Sequence, residues 1–126
     1  MPALETLRGL RVVASPESLD VAPWDEGVVV LRFAPDDAFA IGAINIDVGD
    51  EHAIVAEETG FVGRWLSISE LAEQVLPHIE WPLPDARPEL CQGFIAGVPA
   101  KLWVTDDRAL LICACSYADE LAERLQ

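Results

Sequence analysis

The chain has 126 residues, of which 22 are acidic and 8 are basic, so its formal net charge is −14. Hydrophobic residues make up 52% of the chain, which excludes intrinsic disorder because disordered chains combine high net charge with few apolar residues. Binding to nucleic acid and docking on anionic membranes are disfavoured, since both need clustered Lys and Arg. The length predicts a single domain, residues 1–126, with a sizeable apolar core.

The first residues lack the basic and apolar regions of a signal peptide, and no apolar run reaches the about 18 residues that a membrane span needs. The three cysteines are an odd number, and reduced thiols in a cytoplasm are their simplest explanation. We therefore expect a cytoplasmic protein that does not cross a membrane.

The first half of the chain predicts mainly strands. Residues 1–27 are irregular in pattern, although four residues fit a short helix: Leu4, Leu7, Leu10 and Arg11. The β-branched run Val28–Phe33 predicts a strand, and the Pro and Asp residues that follow predict a turn. A second strand, Ala38–Ile44, then completes a hairpin.

Two further strands are predicted at His52–Ala56 and Phe61–Leu66, separated by a turn at residues 57–60. A capping box formed by Ser67 and Glu70 then predicts the start of a helix. Apolar residues continue this helix at helical spacing: Leu71, Val75, Leu76 and Ile79. Pro77 leaves the end of the helix open.

Three prolines keep residues 81–88 extended. Residues 92–105 have strand character, interrupted by a bulge or turn at Gly97–Pro99. The stretch Ala109–Ala114 is apolar at both alternating positions, which predicts a central strand. Ser116 is the predicted N-cap of a last helix, with Asp119 at its third position. The order predicts an α+β fold, a mainly antiparallel sheet with two helices packed on one face.

The cysteines allow two interpretations. Cys113 and Cys115 are two apart on a predicted strand, hence on one face, and with Cys91 they supply three soft ligands. A structural zinc site normally has four ligands, often in CxxC pairs, so buried structural cysteine is the favoured interpretation. A nucleophilic Cys91 needs a base in space, and nothing in the sequence fixes His78 beside it.

Acidic residues recur in adjacent pairs: Asp36-Asp37, Asp50-Glu51, Glu57-Glu58 and Asp106-Asp107. Such pairs can bind calcium or act as acid and base, but none has the spacing of an EF-hand, which favours solvated turns. His52 lies next to one of these pairs, and a solvated loop position is favoured for it too. The sequence therefore predicts no catalytic residue and no metal site.

The four tryptophans are a large number for this length. Trp65 and Trp103 fall in predicted strands and favour core packing. Trp24 and Trp81 fall in predicted loops beside prolines, where a packed loop and an anchor for a partner remain equally open. These two are the candidate contacts for a partner or a ligand.

The stretch Cys91–Trp103, an acidic turn and Leu110–Leu121 resemble the end of the sarcosine oxidase gamma subunit. That family has a strand with a Gly-x-Pro step (here Gly97–Pro99), an apolar strand and a Ser-Tyr/Phe-Ala helix start (here Ser116–Ala118). The segment Ala34–Ile41 is similar to its turn and strand near mid-chain, so the resemblance covers about a third of the chain.

The resemblance implies the fold of the folate-binding aminomethyltransferase superfamily and an accessory role, since the flavin chemistry of that enzyme lies outside the gamma subunit. No folate-binding residue set is matched, so no cofactor is expected. The leading hypothesis is a non-catalytic interaction domain that binds a protein partner or associates with itself. The alternative is a folate- or flavin-type binding protein or enzyme of one-carbon metabolism, with a tryptophan-lined pocket and an acid such as Asp36 or Asp106.

Overall fold

The computed structural model describes residues 3–126. Two compact units divide the chain: one combines the start of the chain, up to Thr6, with Gly60–Gln126, and the other is Leu7–Thr59. The described strands are β1 (Glu5–Val13), β2 (Val29–Ala34), β3 (Asp37–Ile41), β4 (Ile54–Ser67), β5 (Glu89–Ile95), β6 (Val98–Val104) and β7 (Arg108–Ala114). The described helices are α1 (Pro16–Asp20), α2 (Ile68–Glu70) and α3 (Ala118–Arg124). The single domain that the length predicts stays a prediction.

In the unit Leu7–Thr59, β3 pairs with β2 on one side and with β1 on the other, and both pairings are antiparallel. This confirms the predicted hairpin. The short helix predicted from the first leucines is wrong, because this segment is strand β1, in which Leu10 and Val12 alternate into the core. Gly9 permits the close approach of β1 to β3, since a Cβ there would lie 2.0 Å from the carbonyl oxygen of Ala40.

An arginine on β1 joins three elements of this unit. The Arg11 guanidinium donates to both carboxylate oxygens of Asp37, at 2.6 and 2.7 Å, and to Glu58 at 3.0 Å. Its central carbon also lies 4.9 Å from the ring centroid of Phe33. These contacts raise the pKa of Arg11 above its ordinary value, first through the hydrogen bond to Asp37. The two carboxylates therefore act as structural partners of one cation.

The turn predicted at residues 57–60 is wrong, because β4 runs without a break for 14 residues. The Glu-Glu-Thr-Gly sequence has the composition of a turn, but it lies on a strand whose first half is largely exposed. An exposed strand face accepts polar side chains, and Glu58 gains the ion pair with Arg11 there.

In the other unit, β7 lies between β4 and β6, and β5 pairs with the far side of β6. The position of β7 confirms the prediction of a central strand, since all residues from Ala109 to Cys113 are buried. On β6, Val98, Ala100, Leu102 and Val104 alternate into the core. All these pairings are antiparallel, as the sequence predicts.

The helical segments of this unit are short. The capping box is confirmed: Ser67 Oγ accepts from the N–H of Glu70, and the Glu70 carboxylate accepts from the N–H of Ser67. After α2 the chain continues as a π-helical turn, Leu71–Val75, and a 3₁₀ turn, Leu76–His78. Regular α-helical pairing ends before Pro77, because the N–H of Leu76 already donates to the carbonyl oxygen of Leu71, five residues back.

The predicted cap of the last helix is wrong, because no side chain caps α3 and a 3₁₀ turn, Cys115–Tyr117, precedes it. Side chains from both helical segments nevertheless pack on one core with the sheet: Leu71, Val75, Leu121 and Leu125. The described chain is thus mainly β and antiparallel, with three short helices, and the α+β class describes it only approximately.

Candidate functional site

A groove of about 630 Å³ lies where the segment after α2 crosses the end of β5. We call it the Trp81 groove; it is lined by Pro77, His78, Ile79, Glu80, Trp81, Gly93, Phe94, Ala96 and Gly97. Its volume is in the range of ligand and side-chain pockets. The groove lies wholly within one unit of the chain.

Trp81 is held in place by two contacts with β5. Its indole N–H donates to the carbonyl oxygen of Phe94 over 3.1 Å. A Cβ at Gly93 would lie 2.9 Å from Trp81 Nε1, so only glycine leaves room for the ring in this position. The wall of the groove is therefore preformed.

Phe94 stands at the rim of the groove with 62% of its surface exposed. It lies opposite Pro99 on β6, whereas its neighbour Ile95 points into the core. Aromatic residues are enriched at protein interfaces, so an exposed phenylalanine beside a groove is a candidate contact for a partner. The sequence analysis does not identify Phe94. The alternation of side chains along β5 contains the signal, because the neighbour of a buried strand residue points to the opposite face.

A strained turn lies at one end of the groove. Ala96 and Gly97, which connect β5 to β6, have positive φ angles of 50° and 78°. The N–H of Ala96 donates to the carbonyl oxygen of His78 over 2.9 Å, and Arg124 Nη1 donates to the carbonyl oxygen of Ala96 over 2.8 Å. Hydrogen bonds from two different segments thus hold a conformation that alanine rarely adopts.

A second hollow, of about 320 Å³, lies on the other side of Phe94. We call it the Phe61 hollow; its lining includes Phe61, Phe94, Pro99, Lys101, Cys113 and Tyr117. Lys101, the only lysine of the chain, donates from Nζ to Gln92 Oε1 over 3.0 Å. Phe94 therefore forms a ridge between the groove, whose lining includes Glu80, and the hollow, whose lining includes Lys101.

The two tryptophans predicted as contacts belong to different units. Trp81 forms the wall of the groove. Trp24 is half-buried and packs on the cluster that includes Leu10 and Leu19, and its backbone N–H donates to the carbonyl oxygen of Ala22 over 2.9 Å. The structure therefore supplies a concave surface at Trp81 and a packed loop at Trp24, and both roles as contacts stay predictions.

Cys113 and Cys115 do not share a strand face, so that prediction is wrong. Cys91 and Cys113 are buried, whereas Cys115 follows the end of β7 and is exposed. Burial raises the pKa of the Cys91 thiol and raises that of Cys113 to about 11, which is the opposite of what a nucleophile or metal ligand needs. In residues 3–126 no group of three or more His, Cys, Asp and Glu is placed to hold a metal ion.

None of the remaining polar candidates lines the groove. His52 Nε2 is 3.4 Å from Glu51 Oε1, and both side chains are 87% exposed. Asp50 accepts from the backbone N–H groups of Ser15 and His52, which lowers its pKa. Asp36 and Asp106, the acids predicted for a tryptophan-lined pocket, are exposed in turns and do not line the groove. The acid in the lining beside Trp81 is Glu80.

Comparison of the chain with protein-family models, with curated proteins and with solved structures gave no match. The likeness to the sarcosine oxidase gamma subunit therefore stays a prediction. Among residues 3–126, no helix combines the length and the apolar character needed to traverse a bilayer.

Proposed function

We propose that the chain is a non-catalytic interaction domain, of the accessory kind that the gamma-subunit resemblance implies, and that it binds a protein partner at Phe94 and the Trp81 groove. The observation that carries this is the exposed Phe94 at the rim of a groove whose tryptophan wall is already fixed. A preformed aromatic surface binds without a large ordering cost, and aromatic residues dominate the energetics of interfaces.

A matched pair of variants tests the proposal. Phe94→Ser removes the ridge, and Ile54→Ser removes a side chain of similar exposure, 65%, from strand β4. Wild type and both variants are crosslinked in the lysate of their native cells, and each is also analysed by size exclusion with light scattering. We expect one partner to be retained by wild type and Ile54→Ser and lost from Phe94→Ser. Identical partner sets and identical masses for all three proteins would refute the proposal.

A folate- or flavin-type ligand is the second candidate, because the groove volume suits a small molecule and its aromatic rim suits a planar ring. No Lys or Arg lines the groove to receive the negative charge of such ligands, which favours the protein partner. Titration with folate or flavin, followed by tryptophan fluorescence in wild type and Trp81→Phe, separates the two. Saturable quenching that Trp81→Phe abolishes would replace the first proposal by the second.

A further inference from the structure

The charges around the groove restrict what binds there. Glu80 lines the groove and makes no ion pair with any residue of the described part of the chain. Bulk charge reinforces this site, since the net charge of −14 attracts cations to the surface and repels anions.

The Lys and Arg side chains of the same unit all have partners other than Glu80. Arg64 pairs with Glu70, Arg124 pairs with Glu120 and Lys101 bonds to Gln92. Arg108 lies 3.7 Å from the ring centroid of Trp65, and Arg87 donates to the carbonyl oxygens of Pro84 and Ala86. Arg124 also binds the carbonyl oxygen of Ala96 at the end of the groove, but its ion pair is with Glu120. Glu80 therefore pairs with none of the Lys and Arg residues of its unit and offers an anionic contact to an incoming cation.

We infer that the partner at the Trp81 groove is a basic protein segment that crosses the edge of β5, with a Lys or Arg against Glu80 in the groove and an apolar side chain against Phe94 on the opposite face of the strand. The inference rests on the proposed function and gives it a partner class. Lys101 on the far side of Phe94 sets the direction, because it repels a basic residue from the Phe61 hollow. The basic residue thus lies on the Glu80 side of the ridge.

A second copy of this chain is the weaker occupant. Two copies would bring together two molecules of net charge −14, and repulsion between like-charged partners opposes association. A partner with clustered Lys or Arg gains from the same field, both in its rate of encounter and in the contact with Glu80.

The test uses a displayed library of random 12-residue peptides. The library is selected on the full chain, and binders to the Phe94→Ser variant are removed. Enriched peptides are synthesised with a fluorescent label, and their affinities are measured by anisotropy. Two altered peptides accompany each one: in the first, Glu replaces the basic residues, and in the second, Ser replaces the apolar anchor. Thermal unfolding confirms that every protein variant is folded.

We expect enriched peptides to combine Lys or Arg with Leu, Phe, Trp or Met. Loss of the anchor, or Phe94→Ser, should weaken binding about tenfold or more, as for a central interface residue. Glu80→Lys should weaken the basic peptide several-fold and strengthen its Glu-substituted form, whereas Ile54→Ser should leave both unchanged.

Three results would overturn the inference. Enrichment of acidic or uncharged peptides that need Phe94 would refute the basic partner and leave the interaction domain standing. Equal binding of the anchor-free peptide would show attraction to net charge alone. The third result is a selection in which no peptide binds wild type better than the Phe94→Ser variant. Together with identical partner sets in the crosslinking experiment, it would refute the proposed function as well.

Discussion

The indole N–H of Trp81 donates a hydrogen bond to the carbonyl oxygen of Phe94 over 3.1 Å. It ties the loop after the second helical segment to β5, a strand that pairs only with β6 in the described chain. The bond satisfies a carbonyl at the sheet edge with a side chain and so reduces the pairing capacity of that edge.

Replacing Trp81 by Phe should lower the free energy of unfolding by about 1 kcal/mol, because the Phe94 carbonyl loses its donor and the apolar body is largely kept. Urea unfolding measures the change. Trp24→Phe is the control, since the indole of Trp24 makes no hydrogen bond within residues 3–126. An equal loss in both variants would show that ring size, and not the hydrogen bond, carries the effect.

Replacing Gly93 by Ala should push Trp81 away from β5, since the new Cβ would lie 2.9 Å from Trp81 Nε1. The tryptophan emission should shift to longer wavelength as the ring meets water, and any ligand of the groove should bind more weakly. Gly49→Ala serves for comparison, because nothing lies within 4 Å of a Cβ there. Unchanged emission from Gly93→Ala would contradict the position of the ring.

Replacing Ala96 by Gly should raise the free energy of unfolding by about 0.5–1 kcal/mol, because its φ of 50° is strained for a residue with a Cβ. Gly97→Ala should have the opposite effect, since φ is 78° there and the Cβ would lie 2.9 Å from Arg124 Nη1. Thermal and urea unfolding of both variants measure the difference. A loss of stability in Ala96→Gly would mean that packing of its methyl group outweighs the strain.

Replacing Asp50 by Asn should destabilise the protein at neutral pH, and the difference from wild type should shrink in acid. The backbone N–H groups of Ser15 and His52 lower the pKa of Asp50 in the folded state. Its ionised form therefore contributes stability above the unfolded pKa, and that contribution is lost as pH falls through the folded pKa. Urea midpoints between about pH 2.5 and 7 cover this window.

Asp47→Asn is the control for that series, because the exposed Asp47 carboxylate has no hydrogen bond in the described chain. Its effect should be small at every pH. A constant difference between wild type and Asp50→Asn across the series would show that the charge of Asp50 does not stabilise the fold.

The three thiols should react with iodoacetamide at different rates in the native protein at about pH 8. Cys115 is exposed and should be labelled first, whereas Cys113 is buried and its pKa is raised to about 11. Cys91 is buried with a raised pKa and should also react slowly. Peptide mass spectrometry over time gives the rates, and all three should become alike in denaturant. Early labelling of Cys113 would contradict its burial.

The strand pattern was predictable where alternation or apolar runs are strong. The apolar stretch from Ala109 to Ala114 identifies the central strand, and the Ser67–Glu70 pair identifies a helix start, because both signals depend on neighbours in sequence. The turn predicted around Glu57 and Glu58 is wrong, although the composition of this segment is typical of a turn. The pairing of β4 and the ion pair with Arg11, 47 residues away from Glu58, stabilise a strand there instead. Such tertiary compensation is not visible in a local pattern.

Of the residues that form the candidate site, the sequence predicts one, Trp81. The sequence predicts Trp81 as a contact, because a tryptophan among prolines is either exposed to a partner or packed against another segment. Phe94, Gly93 and Glu80 were missed, because their relation depends on the crossing of a loop over a strand end 13 residues away in sequence. No spacing rule predicts that crossing.

The single lysine provides a chemical handle beside the proposed interface. Lys101 lies on β6 opposite Gln92 on β5 and lines the hollow next to Phe94. No other lysine of the sequence competes with it for an amine-directed reagent. An amine-directed dye or crosslinker would react with this side chain. Probes of this kind report on the ridge directly, without a new residue being introduced into the chain.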